Sequence, residues 1–127
     1  MPLERTNPST MAKPGGFNHV VKSGDTIYIA GQVGRKADGS LAGPDITSQT
    51  EQVFANLNAA LAAAGASMKD VVKTTVFLTH RDDIAGYRAV RDRVVATSDR
   101  PASTLCIIDG LAQPEFRVEV EAIAVLS

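Results

Sequence analysis

Two segments of this chain are apolar on both sides of an extended strand, while only two others carry the periodicity of a helix. Val71 to Leu78 (VVKTTVFL) is dense in β-branched residues, with Val71 and Phe77 on one face and Val72, Val76 and Leu78 on the other. Arg117 to Leu126 (RVEVEAIAVL) places Val118, Val120, Ala122, Ala124 and Leu126 on one face, and Ile123 and Val125 on the other. Two helices cover only one side of a sheet built on such strands. A bare second side would expose more apolar surface than soluble monomers carry, so it is expected to lie against other subunits.

The remaining elements follow from punctuation and period. A short strand near Leu3 to Thr6 precedes a loop rich in Pro and Gly. The segments His19–Lys22 and Thr26–Ala30 flank Ser23-Gly24-Asp25 and predict a hairpin. Gly34 to Pro44 reads as a loop. A long helix is predicted over 46–64, capped by Asp45, with Ser48 and Glu51 offering a competing capping box. Ile46, Val53, Phe54, Leu57, Ala60, Leu61 and Ala64 form its apolar face, and Gly65 ends it. A second helix begins near Asp82 or Asp83, presents Ile84, Tyr87, Val90, Val94 and Val95, and ends before Ser98. A strand over Ser103–Ile108 follows Pro101. The order β-β-α-β-α-β-β predicts an α+β sandwich with two helices on one face of a mixed sheet. Residues 1–127 are expected to form a single domain, of which 1–15 are the short strand and loop.

Composition removes several classes of function. The chain has 127 residues, 13 Lys plus Arg against 14 Asp plus Glu, and a net charge of −1. Binding nucleic acid through bulk electrostatics needs a clear basic excess, so a nucleic-acid partner is not expected. No apolar run is long enough to span a membrane, and the start resembles no secretory signal, which predicts a cytoplasmic protein without a membrane partner. The single Cys excludes an internal disulfide and a multi-cysteine zinc site. The metalloprotease, P-loop, dinucleotide and nucleophile-elbow motifs are absent, so neither metal nor other cofactor is expected.

Residue by residue, the chemistry is sparse. Cys106 reads as a small buried hydrophobe rather than a reactive thiol, His80 as a solvated loop residue, and His19 as a structural strand-edge histidine. Glu119 and Glu121 share the strand face of Ile123 and Val125, which draws them either to a subunit boundary or to a solvated edge. Arg100-Pro101-Ala102-Ser103-Thr104 places a cation and two hydroxyls at a strand entrance, where polar site residues collect. Arg88 and Arg91 lie within the mostly apolar pattern of the second helix.

Taken together the segments resemble the RidA/YjgF family of small trimeric imine/enamine deaminases. The matching residues are Ile29-Ala30-Gly31-Gln32, Gln49-Thr50-Glu51-Gln52, Asn56-Leu57, Ala64-Gly65-Ala66-Ser67, Asp70 through Leu78, and Val118 through Val125. They run from about Gly16 to Val125. The resemblance implies a chorismate-mutase-like fold and a homotrimer with a barrel-like core. It also implies three clefts between subunits, each binding a small anionic metabolite. It further implies that an arginine after Pro-Ala holds the substrate carboxylate and that a last-strand glutamate positions water. Pro101-Ala102 is followed here by Ser103, which cannot make the guanidinium–carboxylate contact. The glutamate is Glu119, and Phe17 and Gly31 match pocket positions. Arg88 stands where the family often has asparagine, which suggests a relocated cation. Arg100 is a second candidate, and pairing of Arg88 with an acidic residue is the alternative.

Three functions follow from these readings. The first is a hydrolytic deaminase of 2-imino acid-like or aminomuconate-like metabolites, with Glu119 as the catalytic group. Phe17, Gly31, Arg88, Ser103 and Thr104 would bind the substrate, with specificity altered at Ser103. The second is a non-catalytic trimer that binds small ligands or partners in the same clefts. The third, the ribonuclease activity ascribed to some relatives, has least support, given near-neutral charge, few aromatics and no catalytic histidine pair.

Overall fold

The computed structural model describes residues 2–127. The longest apolar-periodic stretch forms helix α1 (Ile46–Ala63), and the Asp45 carboxylate caps it by accepting from the Ser48 N–H at 2.9 Å. Ser48 therefore lies within the helix, and the competing box does not form. Gly65, at φ +79°, takes the left-handed conformation that closes the C-terminus. The strands are β1 (Glu4–Thr6), β2 (Val20–Ser23), β3 (Thr26–Gln32), β4 (Val71–Leu78), β5 (Ala102–Ile107) and β6 (Val118–Val125). Helix α2 (Ile84–Val94) lies between β4 and β5, after a single 3-10 turn over Arg81–Asp83.

All six strands join one sheet in the order β1-β2-β3-β6-β4-β5. Every pairing is antiparallel except β4 with β5, which is parallel. Because β3 and β4 both run antiparallel to β6, the strands β3, β4 and β5 share one direction and advance the same way across the sheet. Right-handed crossovers in one direction put both connecting helices on one face. Helix α1 accordingly packs on β3, β6 and α2, and Phe54 stacks on Tyr87 between the helices at 6.2 Å. The expected α+β architecture, a mixed sheet with two helices on one face, is the one observed.

Two face assignments differ from the sequence reading. The register between β4 and β6 shifts between Val71 and Lys73, so Val71 turns into the core while Val72 is 48% exposed. Simple alternation had placed Val71 with Phe77; the irregularity inverts the parity of the strand's first residue. Val94, at the end of α2, is 42% exposed rather than part of the apolar face. Of that helix's own residues, Tyr87 and Val90 are the buried ones.

The helix-covered side holds the core, including Ile27, Leu57, Leu61, Leu78, Val118 and Val120. The opposite side carries Tyr28, Val72, Ile123 and Val125 together with Lys73, Thr75, Glu119 and Glu121. No helix among the described residues is long and apolar enough to cross a membrane.

Polar groups buried on α1 fasten the loops. Gln49 is fully buried; its Nε2 donates to the carbonyls of Gly43 (3.0 Å) and Glu115 (2.9 Å), and its Oε1 accepts from Arg117 N–H (2.8 Å). Arg117 in turn forks onto the buried Asp83 through Nε (2.8 Å) and a terminal nitrogen (3.0 Å), tying the start of β6 to the start of α2. Gln49→Ala leaves three backbone groups without their partner and should lower unfolding free energy by at least about 2 kcal/mol, as measured by urea denaturation.

Candidate active site

An extra residue in β3 shapes the site. Ile29 pairs with Ala122 and Gln32 with Val120, so Ala30 and Gly31 together face the single residue Glu121. At this bulge Gly31 approaches the Glu119 side chain closely. A Cβ on Gly31 would lie 2.7 Å from Glu119 Cδ and 2.9 Å from its Cγ. Only a residue without a side chain leaves room for the carboxylate there. Glu119 is half-buried, and burial raises its pKa above the ordinary glutamate value; the like charge of Glu121 raises it further.

Beside Gly31 the chain that precedes β2 folds back on β3. Asn7 Oδ1 accepts from the His19 N–H at 2.8 Å. The Gln32 amide donates to both Ala30 O and His19 Nδ1 at 3.1 Å. Nδ1 is thus the acceptor, and His19 Nε2–H donates to Ala12 O at 2.6 Å. Both ring nitrogens are committed, so His19 is a clamp for residues 12–19, as its strand-edge position suggested. Phe17 meets this ring edge-on at 5.5 Å and is 54% exposed.

The clamp encloses a cleft of about 90 Å³ lined by Lys13, Phe17, Gly31, Arg35 and Asn56 among others. Asn56 Nδ2 donates to the carbonyls of Val33 (3.1 Å) and Arg35 (3.0 Å), which fixes the backbone leaving β3. The Arg35 guanidinium lies 5.0 Å from the centre of the buried Phe116 ring.

The other sequence candidates sit at the far edge of the sheet. Strands β6 and β4 lie between β3 and β5, a separation of roughly 14 Å at ~4.8 Å per strand. Ser103, on β5, accepts from Thr74 Oγ1 at 3.0 Å. It borders a second small cleft with Tyr87, Arg91 and Arg100, where burial pushes the Tyr87 hydroxyl up to about 12. Thr104 accepts from Lys73 Nζ at 2.7 Å on the opposite side of the strand. Arg88 is exposed on α2 and lines none of these clefts. Arg91 and Arg100 both bind Asp92, at 2.8 and 3.0 Å. The hydrogen bond from Arg91, helped by the charges of Arg91, Arg100 and Arg88, lowers the Asp92 pKa. One chain therefore brings Phe17, Gly31 and Glu119 to one side, and places Ser103 and Thr104 on opposite faces of the far edge strand with Arg88 exposed on α2.

Sequence reasoning gave no site role to Lys13, Arg35 or Asn56. Asn56 had a signal, being an amide on the apolar face of a helix; the two cations lie in loops and had none. Cys106 is partly exposed rather than buried. Among the described residues no group of three or more His, Cys, Asp or Glu is placed to hold a metal ion.

Residues 8–126 match the family model described as Endoribonuclease L-PSP. The chain belongs to this family, the one its sequence resembles under the name RidA/YjgF. It is 35% identical over 111 residues to a RutC family protein of Pyrococcus horikoshii, covering 87% of this chain and 86% of that one. It is 34% identical over 112 residues to the 2-iminobutanoate/2-iminopropanoate deaminase of Mus musculus, covering 87% and 82%. Among solved structures, RidA from an Antarctic Psychrobacter superposes with a TM-score of 0.91 at 31% identity, covering 97% and 99% of the two chains. A structure described as a putative endoribonuclease L-PSP from Entamoeba histolytica gives 0.93 at 29% identity, covering 98% and 100%. The fold of this chain is thus the family's fold over nearly its whole length.

The raised pKa of Glu119 fixes the sign of a stability effect. The folded state favours the protonated carboxyl, so stability is fully present below the ordinary glutamate value and falls as pH rises through the raised one. Glu119→Gln should lose that fall and be the more stable protein above the window, with the two converging in pH dependence below it. Thermal unfolding across pH 3 to 8 on the order of half-unit steps reads the difference.

Proposed function

We propose that this protein hydrolyses small 2-imino or 2-enamino acids to the 2-oxo acid and ammonia, in clefts completed by neighbouring copies of a homotrimer. The observation that carries this reading is the half-buried carboxylate of Glu119 held against Gly31, with its proton affinity raised. A carboxylate whose proton is held more tightly than usual is suited to accept a proton and return it, as addition of water to a C=N bond requires. The deaminase name of the mouse relative supports the same chemistry.

The steps balance without a cofactor. An enamine first becomes its imine by gaining a proton on carbon and losing one from nitrogen to solvent. Glu119 takes a proton from water as the water oxygen bonds to the imine carbon, and the nitrogen is protonated. Glu119 then returns its proton to the amino nitrogen of the carbinolamine, the C–N bond breaks with its electron pair leaving on ammonia, and the hydroxyl proton is lost to solvent as the carbonyl forms. Phe17 would cover the substrate, while the Gly31 backbone and Thr104 would supply hydrogen bonds. Iminium substrates hydrolyse readily, so orientation, water and one acid/base group suffice.

Trimer formation rests on the open sheet face. Tyr28, Ile123 and Val125 need cover there, and contact between copies would bring the β5 edge of one, with Arg88, Ser103 and Thr104, to the Phe17–Gly31–Glu119 side of the next. Ser103 in place of an arginine is the reason to expect altered substrate choice. A net charge of −1 and a His19 ring whose nitrogens are both engaged favour this reading over cleavage of RNA.

The test generates imino acids in place with an amino-acid oxidase and follows oxo-acid and ammonia release. The wild type should accelerate release, and Glu119→Ala should lower kcat by roughly 100-fold or more. Gly31→Ala, which displaces the carboxylate, should fall in the same direction. Light scattering should give three times the 13.4 kDa chain mass. No acceleration across a broad panel would assign the clefts to ligand binding alone.

A further inference from the structure

We infer that Arg35, assisted by Lys13, is the anion anchor of the Phe17–Gly31 cleft and selects substrates that carry a carboxylate. The inference deepens the deaminase reading and rests on it for the identity of the substrate. Five observations meet at this residue. The side chain lines the cleft that contains Phe17 and Gly31, the latter in contact with Glu119. Its guanidinium is stacked on the buried ring of Phe116, which limits its freedom before any ligand arrives. Its carbonyl is held by the buried Asn56 amide at 3.0 Å, so the backbone from which it projects is fixed. No carboxylate lies within 4.0 Å of it among the described residues. The residues lining the cleft include two cations, Lys13 and Arg35, and no acid.

A partly buried guanidinium without a carboxylate partner, in a cleft with a second cation, is suited to receive a small anion. Its planar fork matches a carboxylate through two parallel N–H···O bonds. At about 90 Å³ the cleft admits several heavy atoms, since one water needs only about 10–15 Å³. The arginines at the far edge differ. Arg91 and Arg100 share Asp92, and Arg88, which likewise has no carboxylate within 4.0 Å among the described residues, stands exposed and lines neither cleft.

The experiment measures binding of 2-oxobutanoate and of its neutral amide by calorimetry to the wild type, Arg35→Gln and Arg35→Lys. The acid should bind roughly 10- to 100-fold more weakly to Arg35→Gln, with part of the loss recovered by Arg35→Lys, and the amide should bind all three alike. Where the glutamine variant fails to fold, Arg35→Met keeps an unbranched stem on Phe116 and replaces it. In the imino-acid assay Arg35→Gln should raise KM while kcat stays within a few-fold. Unchanged acid binding in Arg35→Gln, equal binding of acid and amide by the wild type, or no acid binding by the wild type overturns the anchor. Acid binding that depends on Arg35 in a protein that deaminates nothing upholds the anchor and overturns the deaminase reading. Deamination that is indifferent to Arg35 does the reverse.

Discussion

The parallel advance of β3, β4 and β5 across the sheet is the constraint on which the rest of this molecule depends. Each of these strands is followed or preceded by a crossover helix, and crossovers of one hand travelling in one direction must stack on one face. Strand β6 then enters antiparallel between β3 and β4, adding hydrogen bonds to both without adding a third layer. The result is a sheet with a covered side and an open side. The open side is neither a plain core nor a plain surface. It mixes Tyr28, Ile123 and Val125 with Lys73, Thr75 and two glutamates. Such a composition suits a boundary at which apolar contact and polar chemistry coexist.

The bulge at Ala30–Gly31 converts this architecture into a site. Without the extra residue the alternation of β3 would continue, and Gln32 would change faces. With it, Gln32 points inward to hold His19, while the Gly31 backbone comes up under Glu119. One irregularity therefore serves two ends. It anchors the segment carrying Phe17, and it places a carboxyl in a half-buried setting where its proton is held more tightly.

How much of this was legible in the sequence depends on the length scale of each cause. Helix α1 was readable because Asp45, its apolar stripe and Gly65 act locally and agree with one another. The face of Val71 was not, because a register shift against β6 is a property of the pair and leaves no mark on VVKTTVFL alone. Glu119 and Gly31 were named through family resemblance, but their contact follows only once the bulge is known. Gln49 and Asn56 could have been found as amides on an apolar helical face, where each must have partners. Arg35 could not, since nothing in a Gly-rich loop says which way a guanidinium turns.

The placement of the cations carries the last step. Counting charges gives near balance, 13 against 14, and suggests no preference for any ligand. Position overturns that impression. On α2 and the approach to β5, Asp92 accepts from Arg91 and Arg100 and feels Arg88, so that one carboxylate is shared among three cations at an exposed surface. At the opposite side Arg117 is answered by Asp83. Lys13 and Arg35 face a cleft with no acid among its lining residues. Desolvating a guanidinium is costly unless a partner arrives, and stacking on Phe116 offsets only part of that cost. The unanswered charge is thus a standing preference for an anion, in a cleft that shares with Glu119 the backbone of Gly31.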